Sequence, residues 1–331
     1  MASKANEGLV LGVDLGGTKT LVAVIDPNNQ ILGRGKLSTP ARQGGDAIVE
    51  VIIQAAEIAM AEAGKSLEEI SLVGIGSPGP LDVKAGVILF SANMDVVNYP
   101  LAARLHDRLK APVVLRNDVR AGCYAEWKLG AGQGMDNLIG AFVGTGLGGC
   151  VILNGQVIEG KNGNAGEIGH IMAKPDGKQC GCGLYGCLEL YASKSGLMRR
   201  FDKARKQGVA SHLFKLWNGK GQKLKSRYLA ECYSLGDPFV IEELQLAAKY
   251  LGNSLGGLVN LLAPDAIILG GGLSLAMGEP WLTWVRAAAK EHMLVVPHEG
   301  EIIIPAALGD DAGVLGSALL AREATVPSTP I

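Results

Sequence analysis

The stretch LVLGVDLGGTKTLVAVID (Leu9–Asp26) joins two apolar runs through a glycine-rich turn. Leu9–Val13 and Leu21–Asp26 are rich in aliphatic and β-branched residues and have the length of buried strands. Pro27-Asn28-Asn29 then predicts a turn, and Gln30–Leu37 predicts a third strand. The chain is therefore predicted to open as a β-meander and not as a βαβ unit.

The strand–glycine turn–strand pattern occurs again about 130 residues later, in LIGAFVGTGLGGCVIL (Leu138–Leu153). Helical spacing of apolar residues is found in three segments: Asp46–Ala63, the long stretch after Asp237-Pro238, and Ala312–Arg322. The repetition predicts two related α/β lobes that face each other across a ligand-binding cleft. We place the N-terminal lobe at 1–117, completed by a C-terminal helix at about 311–331, and the C-terminal lobe at 118–310.

Glycine is the unusual feature of the composition, with 47 of 331 residues, roughly twice the usual share of about 7%. The glycines follow no three-residue period, and 48% hydrophobic with 19% charged residues excludes a disordered chain. A net charge of −1 without a basic stripe predicts no nucleic-acid partner. The polar segment Met1–Glu7 is unlike a signal peptide, and the longest apolar stretch, Leu138–Leu153, is too short to span a membrane. We therefore expect a cytoplasmic protein.

The first glycine turn, Asp14-Leu15-Gly16-Gly17-Thr18-Lys19, has the groups needed to bind a phosphate. Its glycines expose main-chain N–H groups, Thr18 adds a hydroxyl donor and Lys19 adds a positive charge. Asp14 is placed to orient a metal ion through water. A P-loop is excluded, because Lys19 follows Thr18 and a strand comes next instead of a helix. An ordinary hairpin turn without a ligand is the alternative.

The second glycine turn, Gly144-Thr145-Gly146-Leu147-Gly148-Gly149, matches the dinucleotide pattern G-x-G-x-x-G, with Glu167 about 20 residues further on. That fingerprint requires a helix after the glycines, whereas Cys150–Leu153 predicts a strand. We therefore interpret the segment as a phosphate-binding β-turn. A third group, Gly270-Gly271-Gly272, joins a strand to a helix and would let a flat ring lie against the main chain. A tight turn without a ligand is the alternative there.

Asn117 and Asp118 follow the predicted strand Val113–Arg116 and begin a helix that runs to about Leu129. Asp and Asn are among the commonest helix N-caps, so capping explains Asp118 without any chemistry. The functional alternative is a general base at the mouth of the cleft, with Asn117 available to bind a substrate hydroxyl.

A compact set of metal-binding residues is formed by His170, Cys180, Cys182 and Cys187. One imidazole and three thiolates are a tetrahedral zinc set, and cytosolic chains rarely use such cysteines for disulfides. Because all four positions would be protein ligands, we predict a closed, structural zinc site. Its role would be to fix the loop that carries His170 and two carboxylates, Glu167 and Glu189.

These residues together resemble the ROK family of bacterial sugar kinases, open reading frames and repressors, from about Gly8 to Arg322. The most specific part is Glu167-Ile168-Gly169-His170 followed by Cys180-Gly181-Cys182-Gly183 and Gly186-Cys187-Leu188-Glu189. The match also includes the first two glycine turns, Ser77-Pro78-Gly79-Pro80, Asn93 before Tyr99-Pro100-Leu101, and Asn117-Asp118. Arg116 and Cys150 depart from the family pattern, which most often has an acidic residue and a glycine there. Both lie beside the expected sugar pocket, so the identity of the sugar stays open.

The resemblance implies an actin-like ATPase fold of the hexokinase type, which is ribonuclease H-like, with ATP and a hexose in the cleft. Asp118 would be the catalytic base, and His170 would serve both zinc and sugar. The residues implied for the phosphates are Asp14, Gly16, Gly17, Thr18, Lys19, Gly144, Thr145, Gly146 and Gly148. Those implied for the adenosine are Gly270, Gly271, Gly272 and Leu273. Those implied for the sugar are Gly79, Asn93, Asn117, Asp118, Glu167, His170 and Glu189.

The expected activity is transfer of the γ-phosphate of ATP, with Mg²⁺, to the 6-hydroxyl group of glucose. A kinase for N-acetylglucosamine, N-acetylmannosamine, mannose or fructose would use the same residues and is the main alternative. A sugar-responsive repressor would need an N-terminal helix-turn-helix, and we expect none because the first strand begins near Leu9. A non-catalytic sugar sensor and an NAD-dependent dehydrogenase, which would need a helix after Gly149, are further alternatives. A homodimer or homotetramer is common in similar proteins.

Overall fold

The computed structural model describes residues 8–40, 42–91, 94–161, 163–219, 221–294 and 300–324. Internal contacts divide the chain into two compact units, Met1–Leu129 with Asp310–Ile331, and Gly130–Gly309. The predicted boundary at 117/118 differs from this division, because the helix that begins at Asp118 lies in the first unit.

The strands are β1 (Leu9–Leu15), β2 (Lys19–Ile25), β3 (Ile31–Ser38), β4 (Ile70–Ser77), β5 (Leu81–Asp82), β6 (Val87–Ser91), β7 (Val96–Tyr99), β8 (Val113–Asn117), β9 (Leu138–Val143), β10 (Leu147–Leu153), β11 (Gln156–Val157), β12 (Ala266–Gly270) and β13 (Ile303–Pro305). The helices are α1 (Gly45–Ala63), α2 (Leu101–Leu109), α3 (Asp118–Leu129), α4 (Glu189–Ala192), α5 (Lys194–Lys206), α6 (Leu213–Leu216), α7 (Ser226–Ser234), α8 (Pro238–Leu262), α9 (Gly271–Met277), α10 (Glu279–Lys290) and α11 (Ala312–Glu323). Short 3₁₀ turns cover Leu67–Glu69, Ile168–His170 and Gly309–Asp311.

Each unit contains a five-stranded mixed sheet, and the two sheets have the same topology. The strand order is β3-β2-β1-β4-β8 in the first unit and β11-β10-β9-β12-β13 in the second. In both, the first three strands form an antiparallel meander and the last two run parallel to the first. The predicted repetition of an α/β half is thereby confirmed, and the order is that of the ribonuclease H-like fold. A small antiparallel sheet, β5-β6-β7, is an addition to the first unit that the sequence did not predict.

The first unit is built around β1, whose apolar side chains are almost completely buried. On the α11 side, a Cβ atom added to Gly316 would lie only 1.7 Å from the carbonyl oxygen of Ala121 in α3. The backbones of α3 and α11 are therefore in contact. This close packing is the physical reason why α3 belongs to the first unit, together with the C-terminal helix.

The hydrophobic core of the second unit packs around α8, as the apolar stripe of this helix predicts. Asp237 caps this helix by accepting a hydrogen bond from the N–H of Val240 at 3.2 Å, with Pro238 at the first helical position. The largest fully buried side chains of this unit are Phe201, Trp217 and Trp281. Within the described residues, no helix combines the length and the apolar character needed to cross a membrane.

Candidate functional site

Asn117 and Asp118 lie where β8 ends and α3 begins, and their side chains accept hydrogen bonds from different N–H groups. The side-chain oxygen of Asn117 accepts a hydrogen bond from the N–H of Arg120 at 3.0 Å, which is the N-cap interaction of α3. Asp118 accepts from the N–H of its neighbour Val119 at 2.9 Å through one oxygen, Oδ1. The capping role considered for Asp118 is thus filled by Asn117. The carboxylate of Asp118 is partly buried, and its role as a general base stays a prediction.

The first glycine turn leads directly into β2, as predicted. The N–H of Gly16 donates to the carbonyl of Lys19 at 3.0 Å, and the hydroxyl of Thr39 donates to the carbonyl of Gly16 at 2.6 Å. Lys19 forms a salt bridge of 2.8 Å with Asp310, a partner that the sequence did not point to. Both side chains are partly exposed, so the pair is screened by water and contributes little stability. The ammonium group of Lys19 can therefore exchange Asp310 for an incoming anion at little cost.

Asp14 lies at the end of β1 beside the start of α11. A Cβ atom added to Gly313 would lie 2.8 Å from the Cγ atom of Asp14, so the helix backbone comes close to this carboxylate. Burial raises the pKa of Asp14 to about 6, with a further increase from Asp310 and an opposing effect from Lys19. Asp14 is thus a carboxylate whose charge is disfavoured by the protein itself, as expected where a cationic ligand completes a site.

We expect Asp14→Asn to stabilise the ligand-free protein at pH 7.5 by roughly 1–3 kcal/mol, because it removes a buried charge. The folded pKa of about 6 lies above the ordinary value of 3.8, so folding favours the protonated form. The destabilisation caused by the charge of Asp14 is absent below pH 3.8 and complete above pH 6. The stability gained by Asp14→Asn should therefore decrease as the pH falls from 6 to 3.8. Thermal unfolding of wild type and Asp14→Asn across this pH range measures the difference in stability. An Asn variant that is less stable at pH 7.5 would show that the charge is already compensated within the protein.

β10 begins at Leu147, so the last three residues of the predicted second glycine turn already belong to this strand, and a dinucleotide-binding helix is absent from this described segment. The first N–H groups of α5 hold the turn, since Lys194 donates to the carbonyl of Gly144 at 3.1 Å and Ser195 to that of Thr145 at 3.0 Å. On the other side, Oε2 of Glu189 accepts from the N–H of Leu147 at 3.0 Å. These contacts fix the turn without a ligand and leave open space where a side chain at Gly144 would point.

Gly146 lies close to the carboxylate of Glu189. A Cβ atom at that position would lie 2.5 Å from Oε2 of Glu189, a distance that real Cβ contacts do not reach. The absence of a side chain at Gly146 therefore lets the carboxylate of Glu189 approach the turn in this position.

The third glycine group joins β12 to α9, and two of its glycines are explained by packing. Gly271 has φ +87, and a Cβ atom there would lie 2.5 Å from the backbone of Val143 in β9. Gly270 lies against the ring of Phe142, whereas at Gly272 the nearest atom is 3.9 Å away. Leu273, which we expected beside the adenosine, is fully buried in the core of the second unit. Its side chain packs inward from α9, so a contact with adenosine would have to be made by its main chain.

The predicted metal ligands come together, with all four candidate atoms of His170, Cys180, Cys182 and Cys187 within 4.8 Å of one another. The sulfur atoms of Cys182 and Cys187 are 3.7 Å apart, and Sγ of Cys180 is 4.0 Å from Nδ1 of His170. Zn–S bonds of about 2.3 Å in a tetrahedron place sulfur atoms about 3.8 Å apart. The donor set and its spacing therefore fit a zinc ion. We call this set the metal cluster.

The metal cluster is in contact with the carboxylate that holds the second glycine turn. Oε1 of Glu189 lies 4.0 Å from Sγ of Cys180, while Oε2 accepts from Leu147. His170 ends a 3₁₀ turn that starts directly after Glu167, whose side chain is exposed. Since Nδ1 of His170 faces the cluster, its Nε2 atom is the one left for other partners. The metal cluster therefore connects the 3₁₀ turn that ends at His170 with the second glycine turn in the second unit.

Two further predicted sugar-binding residues are less well defined. Gly79 lies in an exposed segment after β4 and precedes Pro80 through a cis peptide bond. Asn93 lies outside the described residues. The structure also draws attention to residues that the motifs did not include, namely Asp310 beside Lys19, and Lys194 beside Gly144. An Asp-Asp pair directly before a helix was a visible signal for Asp310, whereas Lys194 had none in the sequence.

Comparison with known proteins agrees with this geometry. The model of the ROK family matches residues 10–324. A glucokinase of Streptomyces coelicolor is 36% identical over 321 residues, which are 96% of this chain and 98% of the relative. A glucokinase of Thermotoga maritima is 32% identical over 315 residues, 95% and 97% of the two chains. Among solved structures, a ROK family glucokinase from Streptomyces griseus in complex with glucose and AMPPNP has a TM-score of 0.81 at 36% identity, covering 96% of this chain and 100% of that chain.

Proposed function

The chain belongs to the ROK family, and on this premise we propose that it transfers the γ-phosphoryl group of ATP to the 6-hydroxyl group of glucose. The protein is thus a sugar kinase with an actin-like ATPase fold. Relatives named as glucokinases match nearly the whole chain, and one of them is solved with glucose and an ATP analogue. These likenesses support glucose as the acceptor and ATP as the donor.

Asp118 acts as the general base of the reaction. Its carboxylate takes the proton of the sugar 6-hydroxyl while that oxygen attacks the γ-phosphorus, the bond to the β-phosphate oxygen breaks, and ADP leaves. The transition state of phosphoryl transfer is loose, so positioning and charge neutralisation carry most of the catalysis. Asn117, held by its contact with the N–H of Arg120, keeps the start of α3 and hence Asp118 in place.

The donor is bound through main-chain N–H groups at glycine turns. In the first unit, Gly16, Gly17, Thr18 and Lys19 bind phosphate oxygens; in the second unit, Gly144, Thr145, Gly146 and Gly148 do so. Gly272, the member of the third group with open space beside it, approaches the nucleoside. Mg²⁺, when bound with the donor, would be oriented through water by Asp14 and would neutralise phosphate charge.

Sugar hydroxyls are bound by carboxylates and amides, because an anion accepts strongly from OH groups. Glu189, Glu167 and Nε2 of His170 serve this purpose in the second unit, and Asn117 with Asp118 in the first; Gly79 and Asn93 complete the set. His170 and the three cysteines would hold a zinc ion, which would supply rigidity and no chemistry at the reacting atoms.

The observation that carries the proposal is the position of Glu189. One carboxylate lies within hydrogen-bond distance of a glycine-turn N–H and near a sulfur of the metal cluster. A sugar hydroxyl bound at this carboxylate would be next to the turn proposed for the phosphates. A glucose kinase needs this juxtaposition of acceptor and donor, and a dehydrogenase or an isolated zinc module does not.

The test is ADP release in a coupled assay with glucose, mannose, fructose, N-acetylglucosamine and N-acetylmannosamine as acceptors. We expect kcat/KM to be highest for glucose, and a reaction without sugar to release ADP far more slowly. A preference for an acetylated hexosamine would overturn glucose as the substrate and keep the kinase assignment. Release that is independent of every sugar would overturn the kinase assignment itself.

A further inference from the structure

Lys194 is the first residue of α5, and its main chain is part of the second glycine turn. Its N–H donates to the carbonyl of Gly144 at 3.1 Å, and the next N–H, from Ser195, donates to Thr145. Ser193 caps the helix by accepting from the N–H of Gly196 at 3.3 Å. The side chain of Lys194 therefore starts one hydrogen bond away from the turn to which we have assigned the phosphates.

The environment of this lysine is unfavourable for a positive charge. Lys194 is partly buried, and burial is the one cause that lowers the pKa of its ammonium group below the ordinary value. The position is also the first turn of a helix, where the helix dipole disfavours cations. Among the described residues, no carboxylate forms a salt bridge with Lys194 or raises its pKa.

Three other cations of α5 have acidic side chains as partners. Arg205 and Lys206 both pair with Asp202, at 2.9 and 2.6 Å, and Arg200 pairs with Glu243. These residues lie further along the helix, where cations are better tolerated, and they have protein partners. A lysine that is partly buried, at a helix N-terminus and without a protein anion is a site that lacks its counterion.

We propose that Lys194 binds the phosphate chain of the phosphoryl donor and supplies the side-chain positive charge of the second glycine turn. The turn itself offers only main-chain groups, the hydroxyl of Thr145 and no charge of its own. In the first unit the corresponding turn has Lys19, whose charge is shared with Asp310. Lys194 would thus complement Glu189 on the same turn, with the cation serving the donor and the carboxylate serving the acceptor. This inference rests on the proposed function, since it requires the donor at residues 144–149.

Binding of AMPPNP and of glucose, measured separately by calorimetry, tests this role in Lys194→Met, Lys194→Arg and wild type. We expect Lys194→Met to raise the Kd of AMPPNP about ten-fold or more, because a charge-assisted hydrogen bond is lost. The Kd of glucose should stay within two-fold, and Lys194→Arg should recover most of the AMPPNP affinity. The matched control is Lys203→Met, an exposed lysine of the same helix, which should leave both constants unchanged.

The melting temperature separates ligand binding from a structural role. If Lys194 serves the donor, ligand-free Lys194→Met should melt at the same temperature as wild type or higher, and AMPPNP should raise its melting temperature less. An unchanged Kd for AMPPNP would overturn the inference, as would a large loss of ligand-free stability with normal binding. If the proposed function is wrong, wild-type protein will show no sugar-dependent release of ADP. The two failures are therefore told apart by binding and by turnover.

Discussion

Asp118→Asn is expected to lower kcat for glucose phosphorylation by about 100-fold or more, the usual contribution of a general base. Asn keeps the shape of the side chain and the oxygen that accepts from the N–H of Val119, so the start of α3 should be preserved. What is lost is the capacity to take the proton of the sugar hydroxyl. The Kd of glucose should change far less than kcat, because an amide still hydrogen-bonds a hydroxyl group.

Steady-state kinetics and glucose titration of Asp118→Asn measure this separation directly. Asp107→Asn is the matched control, since it makes the same chemical change at an exposed residue of α2 and should leave kcat unchanged. Turnover within a few-fold of wild type in Asp118→Asn would remove Asp118 from the role of base. A parallel loss of folding, seen as a lower melting temperature, would instead reveal a structural requirement at the junction of β8 and α3.

Loss of the metal cluster is the second large effect that we expect. Removal of zinc with a chelator should lower the melting temperature by about 10 °C or more, because a structural zinc site contributes its binding energy to folding. Glucose affinity should fall with stability, since Glu189 lies 4.0 Å from Sγ of Cys180 and Nδ1 of His170 faces the same sulfur. Metal analysis should find one zinc ion per chain.

Cys182→Ala provides the sharpest form of this experiment. Cys182 is the exposed cysteine of the metal cluster, so its truncation would remove a proposed zinc ligand without opening a cavity in the core. Leu184→Ala, an exposed residue of the same loop, is the control and should have little effect. A protein that contains no zinc and yet keeps the melting temperature and glucose affinity of wild type would contradict a structural role for the metal.

Much of the fold follows from local pattern in the sequence. The aliphatic and β-branched runs at Leu9–Asp26 and Leu138–Leu153 predicted both meanders, and the Asp237-Pro238 cap placed the start of α8 at the right residue. These signals are local, because strands, caps and turns are determined by neighbouring residues. The four candidate metal ligands were likewise visible in their spacing, and the structure brings all four together.

The remaining features depend on contacts between distant parts of the chain. Which of Asn117 and Asp118 caps α3 depends on the geometry of one helix turn, because both residue types are good N-caps. Leu273 was assigned to a ligand on the basis of its position in a motif, whereas tertiary packing directs its side chain into the core. The boundary after α3 could not be read from sequence, because it results from the contact of that helix with α11.

Lys194 and Glu189 show what the sequence could not supply about the candidate site. Neither the hydrogen bond of Glu189 to Leu147 nor that of Lys194 to Gly144 follows from spacing, since each joins segments more than forty residues apart. Both contacts converge on the same glycine turn, from the first residue of α4 and the first residue of α5. The chemistry of the turn therefore becomes visible only once these helices are in place.

The central claim is tested most directly by identification of the reaction product. Wild-type protein, ATP, Mg²⁺ and glucose labelled at carbon 6 should give a phosphorus resonance coupled to that carbon, which identifies glucose 6-phosphate, together with one ADP for each sugar consumed. In the same mixture, Asp118→Asn should lower the rate of formation of this product by about 100-fold or more. Phosphate on any other hydroxyl group, or ADP formed without a phosphorylated sugar, would contradict the account.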